Sequence, residues 1–207
     1  ITIPSAVTGS VGTYNNAYAG VSTGANMTAA NSSTTVSPTA NTTYYAIYRT
    51  NVTVYRPSST SACTTQQFYR NQWFTSTTAM ADPVLSTSTT GTSNTNPTMV
   101  SGYSFSKLTT SASSGGTSYT TVAAAAKTNT TTFYTTETKA VSITGTFYYN
   151  SNTTNGSTTI SNTTASANGT NTLHCTSTSA ASATQGAASI TIPSAVTGSV
   201  GTYNNAY

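Results

Sequence analysis

The chain ends on the residues with which it begins. Residues 1–18 and 190–207 both read ITIPSAVTGSVGTYNNAY, identical at every position. Old duplications drift, and this one has not, so a single pattern must serve in both places. Taken at period two, Ile1, Ile3, Val7 and Val11 share one face, with Ser5, Gly9 and Thr13 filling the gaps. Thr2, Pro4, Ala6, Thr8 and Ser10 share the other face. Alternate residues of a strand point to opposite sides, so the stretch reads as a β-strand with one buried face. Its copy places Ile190, Ile192, Val196 and Val200 in the same positions. The expected organisation is a strand over 1–18, a body over 19–189 and the copied strand over 190–207.

The body repeats the alternation. Residues 44–56 place Tyr44, Ala46, Tyr48, Val52 and Val54 on one face and Arg49 and Asn51 on the other. Further strands are expected over 66–76 around Phe68, Trp73 and Phe74, over 99–108 around Tyr103 and Phe105, over 119–122, and over 130–138 around Phe133 and Tyr134. The strongest alternation is 139–150, where Val141, Ile143, Phe147 and Tyr149 share a face with Gly145 between them. Short strands follow near 157–161 and 170–177. Residues 19–43 and 180–189 are rich in small residues and read as linkers. Residues 123–127 are the one helical stretch, too short to stand alone. About seven to nine short strands separated by turn signals predict an all-β chain, an immunoglobulin-like β-sandwich.

Charge is nearly absent. Charged residues make 4% of the chain, against about 25% in an average domain. The acids are Asp82 and Glu137, and the bases are Arg49, Arg56, Arg70, Lys107, Lys127 and Lys139. These bases are scattered, so the net charge of +4 gives no reason to expect a nucleic-acid partner. Thr and Ser together supply 83 of the 207 residues. Disorder is one reading of so polar a chain, but recurrent apolar alternation and β-branched residues argue for strands. No run approaches the roughly 18 apolar residues of a membrane span, so no transmembrane segment is expected. No signal peptide is seen, and the chain reads as a mature form if it is exported.

The catalytic inventory is thin. His174 is the only histidine and sits beside Cys175 in an expected strand, where a structural role is the expectation. Asp82 precedes Pro83 and reads as a turn former; Glu137 reads as a solvated strand residue. No phosphate loop and no metal cluster are present, so neither enzyme activity nor a cofactor is expected. With two carboxylates, the chain also has little to protonate in acid, which suits an acidic exterior. Cys63 and Cys175 lack the CxxC or Cys/His spacing of a zinc site. In an exported chain they read as one disulfide, and otherwise as two buried thiols.

Nine Asn-x-Ser/Thr sequons occur, at Asn26, Asn31, Asn41, Asn51, Asn129, Asn152, Asn155, Asn162 and Asn168. A chain this rich in Asn, Thr and Ser produces some by composition alone. These fall mostly in expected loops or on outward strand positions. Covalent glycans there would supply the solubility that the missing charges do not.

A free alternating strand at the start, a Thr/Ser-rich β-sandwich, one long-range disulfide and many sequons together resemble the archaeal thread pilins. These are glycosylated extracellular filament subunits, similar in fold to bacterial type 1 pilins. The resemblance covers the whole chain in architecture and rests on no diagnostic motif. It implies a sandwich that lacks one strand and is completed by the N-terminal strand of the next identical subunit. Alternate apolar side chains (Ile1, Ile3, Val7 and Val11) would enter its pockets. Such head-to-tail contacts make an open homopolymer, a cell-surface filament suited to adhesion or biofilm. One groove holds one strand, so one copy per subunit can be the donor. The second copy would then be the neighbour's strand, a self-complementing strand or the start of a tandem unit. A monomeric or lattice-forming cell-surface domain, of the surface-layer or adhesin kind, is the alternative.

Overall fold

A long hairpin carries the architecture. The structure, a computed structural model, describes residues 1, 14–27, 30–31, 35–113, 115–152, 158–185, 190, 198–200 and 203–205. Its strands are β1 (Ala17–Ser22), β2 (Ala30–Asn31), β3 (Tyr45–Pro57), β4 (Cys63–Trp73), β5 (Val84–Ser86), β6 (Ser104–Thr109) and β7 (Ser118–Tyr119). The helix α1 (Val122–Ala126) follows, then β8 (Thr132–Asn152), β9 (Thr158–Cys175), β10 (Ala180–Gln185), β11 (Gly198–Val200) and β12 (Tyr203–Asn205). Ten strands join a single mixed sheet, and β11 and β12 form a two-stranded one. Among the described residues the chain is thus all-β with one short helix. It divides into two compact units, Ile1–Glu137 with Leu173–Ala181, and Thr138–Thr172 with Ser182–Tyr207. Strands β8 and β9 run through both.

In the first unit, β3 and β4 pair without a break from Ile47↔Trp73 to Pro57↔Cys63. Their turn is closed by serines. The Ser58 and Ser59 amides donate to the Ala62 carbonyl at 2.8 and 3.3 Å, and Ser59 Oγ accepts from the Ala62 amide at 3.2 Å. A serine oxygen takes up amides that a tight turn leaves unpaired. With β4 on one edge of β3, two strands share the other in succession. β1 pairs antiparallel along Tyr45–Arg49, and β8 pairs parallel along Thr53–Tyr55. At the handover Thr50 Oγ1 donates to the Asn15 carbonyl (3.0 Å), and the Asn15 amide donates to Asn129 Oδ1 (2.7 Å). The β1 register slips between Tyr18 and Gly20. Gly20 has φ 144°, a backbone value at this bulge that favours glycine.

Period two then sorts the side chains. Val52, Val54, Phe68, Leu85 and Phe133 meet Leu108 of β6 and Val122, Ala125 and Ala126 of α1 in one fully buried cluster. The opposite face carries a second cluster of Ile47, Trp73 and Val84 with Met27. Burial on both faces explains why Ile47 is buried beside its neighbour Tyr48. The helix forms because Thr121 Oγ1 caps the Ala124 amide at 3.1 Å and the alanine run costs little side-chain entropy. Its buried residues lie three and four apart, so one face enters the core.

Several boundaries differ from expectation. β1 reaches Ser22 and β2 lies at Ala30–Asn31, within the stretch read as a linker. The strands expected at 130–138 and 139–150 are one, β8, and those expected at 157–161 and 170–177 are one, β9. The second supposed linker contains β10. In each case strand pairing, not apolar periodicity, sets the structure. In the second unit, for instance, β8 and β9 are linked by Thr144 Oγ1–Ser166 Oγ (2.9 Å) and Thr146 Oγ1–Thr164 Oγ1 (3.4 Å).

Cys63 and Cys175 form a disulfide, with Cα atoms 5.9 Å apart and 112 positions of sequence between them. It ties the start of β4 to the end of β9, beside the bonds from the Cys63 amide to the Thr178 carbonyl (2.9 Å) and from the Ala180 amide to the Ser61 carbonyl (3.2 Å). Closing so long a loop restricts the unfolded chain. Urea unfolding with and without reductant is expected to differ by about 4–5 kcal/mol in the chain-entropy model.

Candidate functional site

Three groups of residues bear on function: the sequon asparagines, the apolar residues of the repeated strand and the few ionisable side chains. Among the sequons, Asn26, Asn41, Asn51, Asn129, Asn162 and Asn168 are all exposed. Asn155 lies outside the described residues, as do the side chains of Asn31 and Asn152. Among the described residues, the two asparagines buried completely, Asn16 and Asn71, belong to no sequon. Asn16 Nδ2 donates to Gln72 Oε1 (3.1 Å), and Asn71 Nδ2 donates to the Ser88 and Gly91 carbonyls (both 3.0 Å). The sequon residue Asn129 is both exposed and structural, since its Oδ1 accepts from the Asn15 amide.

Of the repeated strand, Ile3, Val7, Val11, Ile192 and Val196 lie outside the described residues, and Val200 is described only as backbone of β11. Ile1 is 76% exposed. Its backbone is nonetheless held: the Val36 amide donates to its carbonyl (3.1 Å) and its ammonium donates to the Val36 carbonyl (3.0 Å). The equivalent residue of the copy, Ile190, is half-buried. A Cβ added to Gly145 would lie 3.4 Å from Ile190 Cδ1 and 3.3 Å from the Phe147 ring. The missing side chain at Gly145 is thus what leaves room for Phe147 and Ile190 on that face of β8.

The ionisable groups do not assemble into a catalytic set. Asp82 pairs with Lys127 at the surface. His174 sits between Thr136 Oγ1 (2.8 Å from Nδ1) and the Ala112 carbonyl (3.1 Å from Nε2). A carbonyl only accepts, so Nε2 carries the proton and, in the neutral ring, Nδ1 accepts from the threonine hydroxyl. No hydrogen bond joins any two of His174, Asp82 and Glu137 among the described residues. Among these residues no group of three His, Cys, Asp or Glu could hold a metal, and no helix is long and apolar enough to cross a membrane.

Glu137 corrects the expectation of a solvated strand residue, for it is fully buried. It shares parity with Phe133 and Thr135 in β8 and so points to the core side. Its Oε2 accepts from the Val100 amide at 2.9 Å, while Oε1 has no partner. Burial raises its pKa above the ordinary carboxyl value, against the opposing pull of the Val100 amide and the Arg56 charge. Arg70, in the middle of β4, is buried as completely. One Nη2 donates to the Thr130 carbonyl, and burial lowers its pKa to about 10.

Comparison of the chain with known families, curated proteins and solved structures gives no match.

The buried carboxyl makes a pH prediction. A group whose folded pKa is raised binds its proton more tightly in the folded state. Its contribution is complete below the unfolded value of 4.5 and is lost as pH rises through the folded value. His174 works the other way, since burial lowers its pKa. Its contribution is present above 6.5 and lost as pH falls through the folded value. Denaturant unfolding across pH 3 to 8 should show Glu137→Gln gaining stability relative to the parent as pH rises above the unfolded carboxyl value. A constant difference across that range would contradict the assignment.

Proposed function

We propose that the chain is a structural subunit of an extracellular, glycosylated filament, polymerising head to tail by strand donation. Its fold would be an immunoglobulin-like sandwich completed by a strand from the next subunit. The observation that carries this reading is the exact recurrence of residues 1–18 as 190–207. A strand with one apolar face gains from burial only when a groove receives it. The two copies of its first anchor differ as a free and a seated donor residue would. Ile1 is exposed, whereas Ile190 sits against the apolar face of β8 at Gly145 and Phe147. On assembly, the Ile1–Val36 backbone pair would be exchanged for the neighbour's groove. In the donated strand Pro4 would face away from the pockets and would give up one ladder hydrogen bond.

The exposed sequons support the glycan coat. A filament needs a hydrated surface, and charged residues make only 4% of this chain.

Electron microscopy tests the reading. The intact chain is expected to form long thin filaments, and a chain lacking residues 1–13 is expected to form none. Normal filaments from the truncated chain would overturn strand donation. Two-dimensional lattices or monomers from the intact chain would favour a surface-layer or adhesin domain instead.

A further inference from the structure

Two sequons share a feature that chance placement in loops would not give them. In the second unit, Thr144 pairs with Ser166 and Thr146 with Thr164 through their hydroxyls. As one number rises by two the other falls by two, so these stretches of β8 and β9 are antiparallel. One step further on the same face, Tyr148 stands opposite Asn162. Asn162 is exposed and opens Asn162-Thr-Thr. Tyr148 presents 71% of its surface, the most exposed aromatic ring among the large hydrophobic residues described. The first unit repeats the pairing. Asn51, exposed and opening Asn51-Val-Thr, lies directly across from Tyr69. The Arg49 guanidinium stands 5.9 Å from the centre of that ring. The guanidinium is held there by Asn71 Oδ1 (3.1 Å) and by the Thr89 carbonyl.

We propose that the glycans on Asn51 and Asn162 fold back onto their own strands, with the first sugar of each lying on the cross-strand tyrosine, Tyr69 or Tyr148. The proposal rests on the reading of these sequons as glycosylated. Directly opposed residues have Cβ atoms about 4.5–5.5 Å apart and side chains that stand off the sheet together. A sugar bonded to Asn Nδ2 therefore comes level with the phenol ring. A pyranose presents one face of C–H groups, weakly positive and apolar, and the aromatic face is negative. Contact between them removes apolar surface from water and leaves the sugar hydroxyls pointing outward. The ligand class is thus the chain's own N-linked pyranose. The same β8–β9 register places Asn168, also an exposed sequon, opposite Ser142, which has no ring to offer. That pair is an internal control.

The test uses full-length protein from a glycosylating host, with glycopeptide mapping to establish occupancy. Unfolding is then compared for the parent, Tyr148→Ala, Asn162→Gln and the double variant, and for the corresponding Tyr69 and Asn51 set. With the glycan present, Tyr148→Ala is expected to raise the unfolding equilibrium constant by about threefold to tenfold, the scale of an aromatic contact. In the Asn162→Gln background it should leave the constant nearly unchanged. Ser142→Ala should show no dependence on the Asn168 glycan. Proton NMR of the sugar on Asn162 should show ring-current shifts that vanish in Tyr148→Ala. Tyr69→Ala also removes the Arg49 contact, which the cycle with Asn51→Gln subtracts. Should that variant fail to fold, the exposed Tyr148 pair decides. Occupied sites with equal tyrosine effects in both backgrounds and no ring-current shift would overturn the proposal and leave glycosylation standing. Unoccupied Asn51 and Asn162 would overturn it together with the glycan reading of those two sites.

Discussion

The ladder between β3 and β4 is the interaction on which the first unit depends. It runs unbroken from Ile47↔Trp73 to Pro57↔Cys63, and three further strands pair with it. β1 and β8 occupy the remaining edge of β3, and β5 takes the remaining edge of β4. The disulfide starts from its last pair, at Cys63. Both faces of the hairpin carry apolar clusters. Slipping its register by one residue would exchange Val52, Val54 and Phe68 with Asn51, Thr53 and Gln67, and so dismantle the larger core.

A second constraint follows from having only two acids. Arginines in ordinary proteins are commonly paired with carboxylates, but here they donate to backbone carbonyls. Arg49 reaches the Thr89 carbonyl, Arg56 reaches those of Pro57 and Thr98, and Arg70 reaches that of Thr130. The bonds to Thr89, Thr98 and Thr130 hold irregular segments against the hairpin. The segment around Pro97–Val100 is held most heavily. Gln66 accepts from the Thr98 amide at 3.0 Å, and Glu137 accepts from the Val100 amide at 2.9 Å. One of the two acids thus serves as a backbone acceptor on the core side of β8. Charge-assisted bonds of this kind are stronger than neutral ones, so sparse charges still organise long stretches without regular structure.

How much of this was legible in the sequence depends on the side chains involved. β3 was readable almost to the residue, because Tyr48, Val52 and Val54 alternate with polar partners. The helix was readable from its alanine run, and the cysteine pairing from the absence of any other partner chemistry. β9 was not readable over its length. Residues such as Thr164, Ser166 and Asn168 carry no apolar signal, since their face is solvated and their order comes from pairing with β8. The same holds for Gly20–Ser22, which the β3 edge recruits into a strand despite their small side chains. Glu137 was misjudged although a signal existed. Its even spacing from Phe133 placed it on the core side, and only its charge argued otherwise. Arg70, two residues from Phe68, carries the same parity signal. The exposed sequons were legible as a pattern, but their tyrosine partners required the strand register.

The repeated sequence bears on the proposed strand donation. Its two copies take different structures where both are described. In the first copy, Asn16 is buried, donates to Gln72 and leads into β1. In the second, the equivalent Asn205 ends β12 and pairs with Gly198. Tyr203, the equivalent of Tyr14, pairs with Val200. Identical residues therefore do not dictate one local structure. The edge they meet does, because a short Thr-, Ser- and Gly-rich strand has weak intrinsic preference and gains its stability from cross-strand partners. A segment of that kind can leave one edge and enter another at little cost beyond the hydrogen bonds exchanged. What it cannot supply by itself is selectivity. In a donated strand, selectivity would have to come from the alternate apolar side chains, and one such side chain, Ile190, has its Cδ1 3.4 Å from where a Gly145 Cβ would stand.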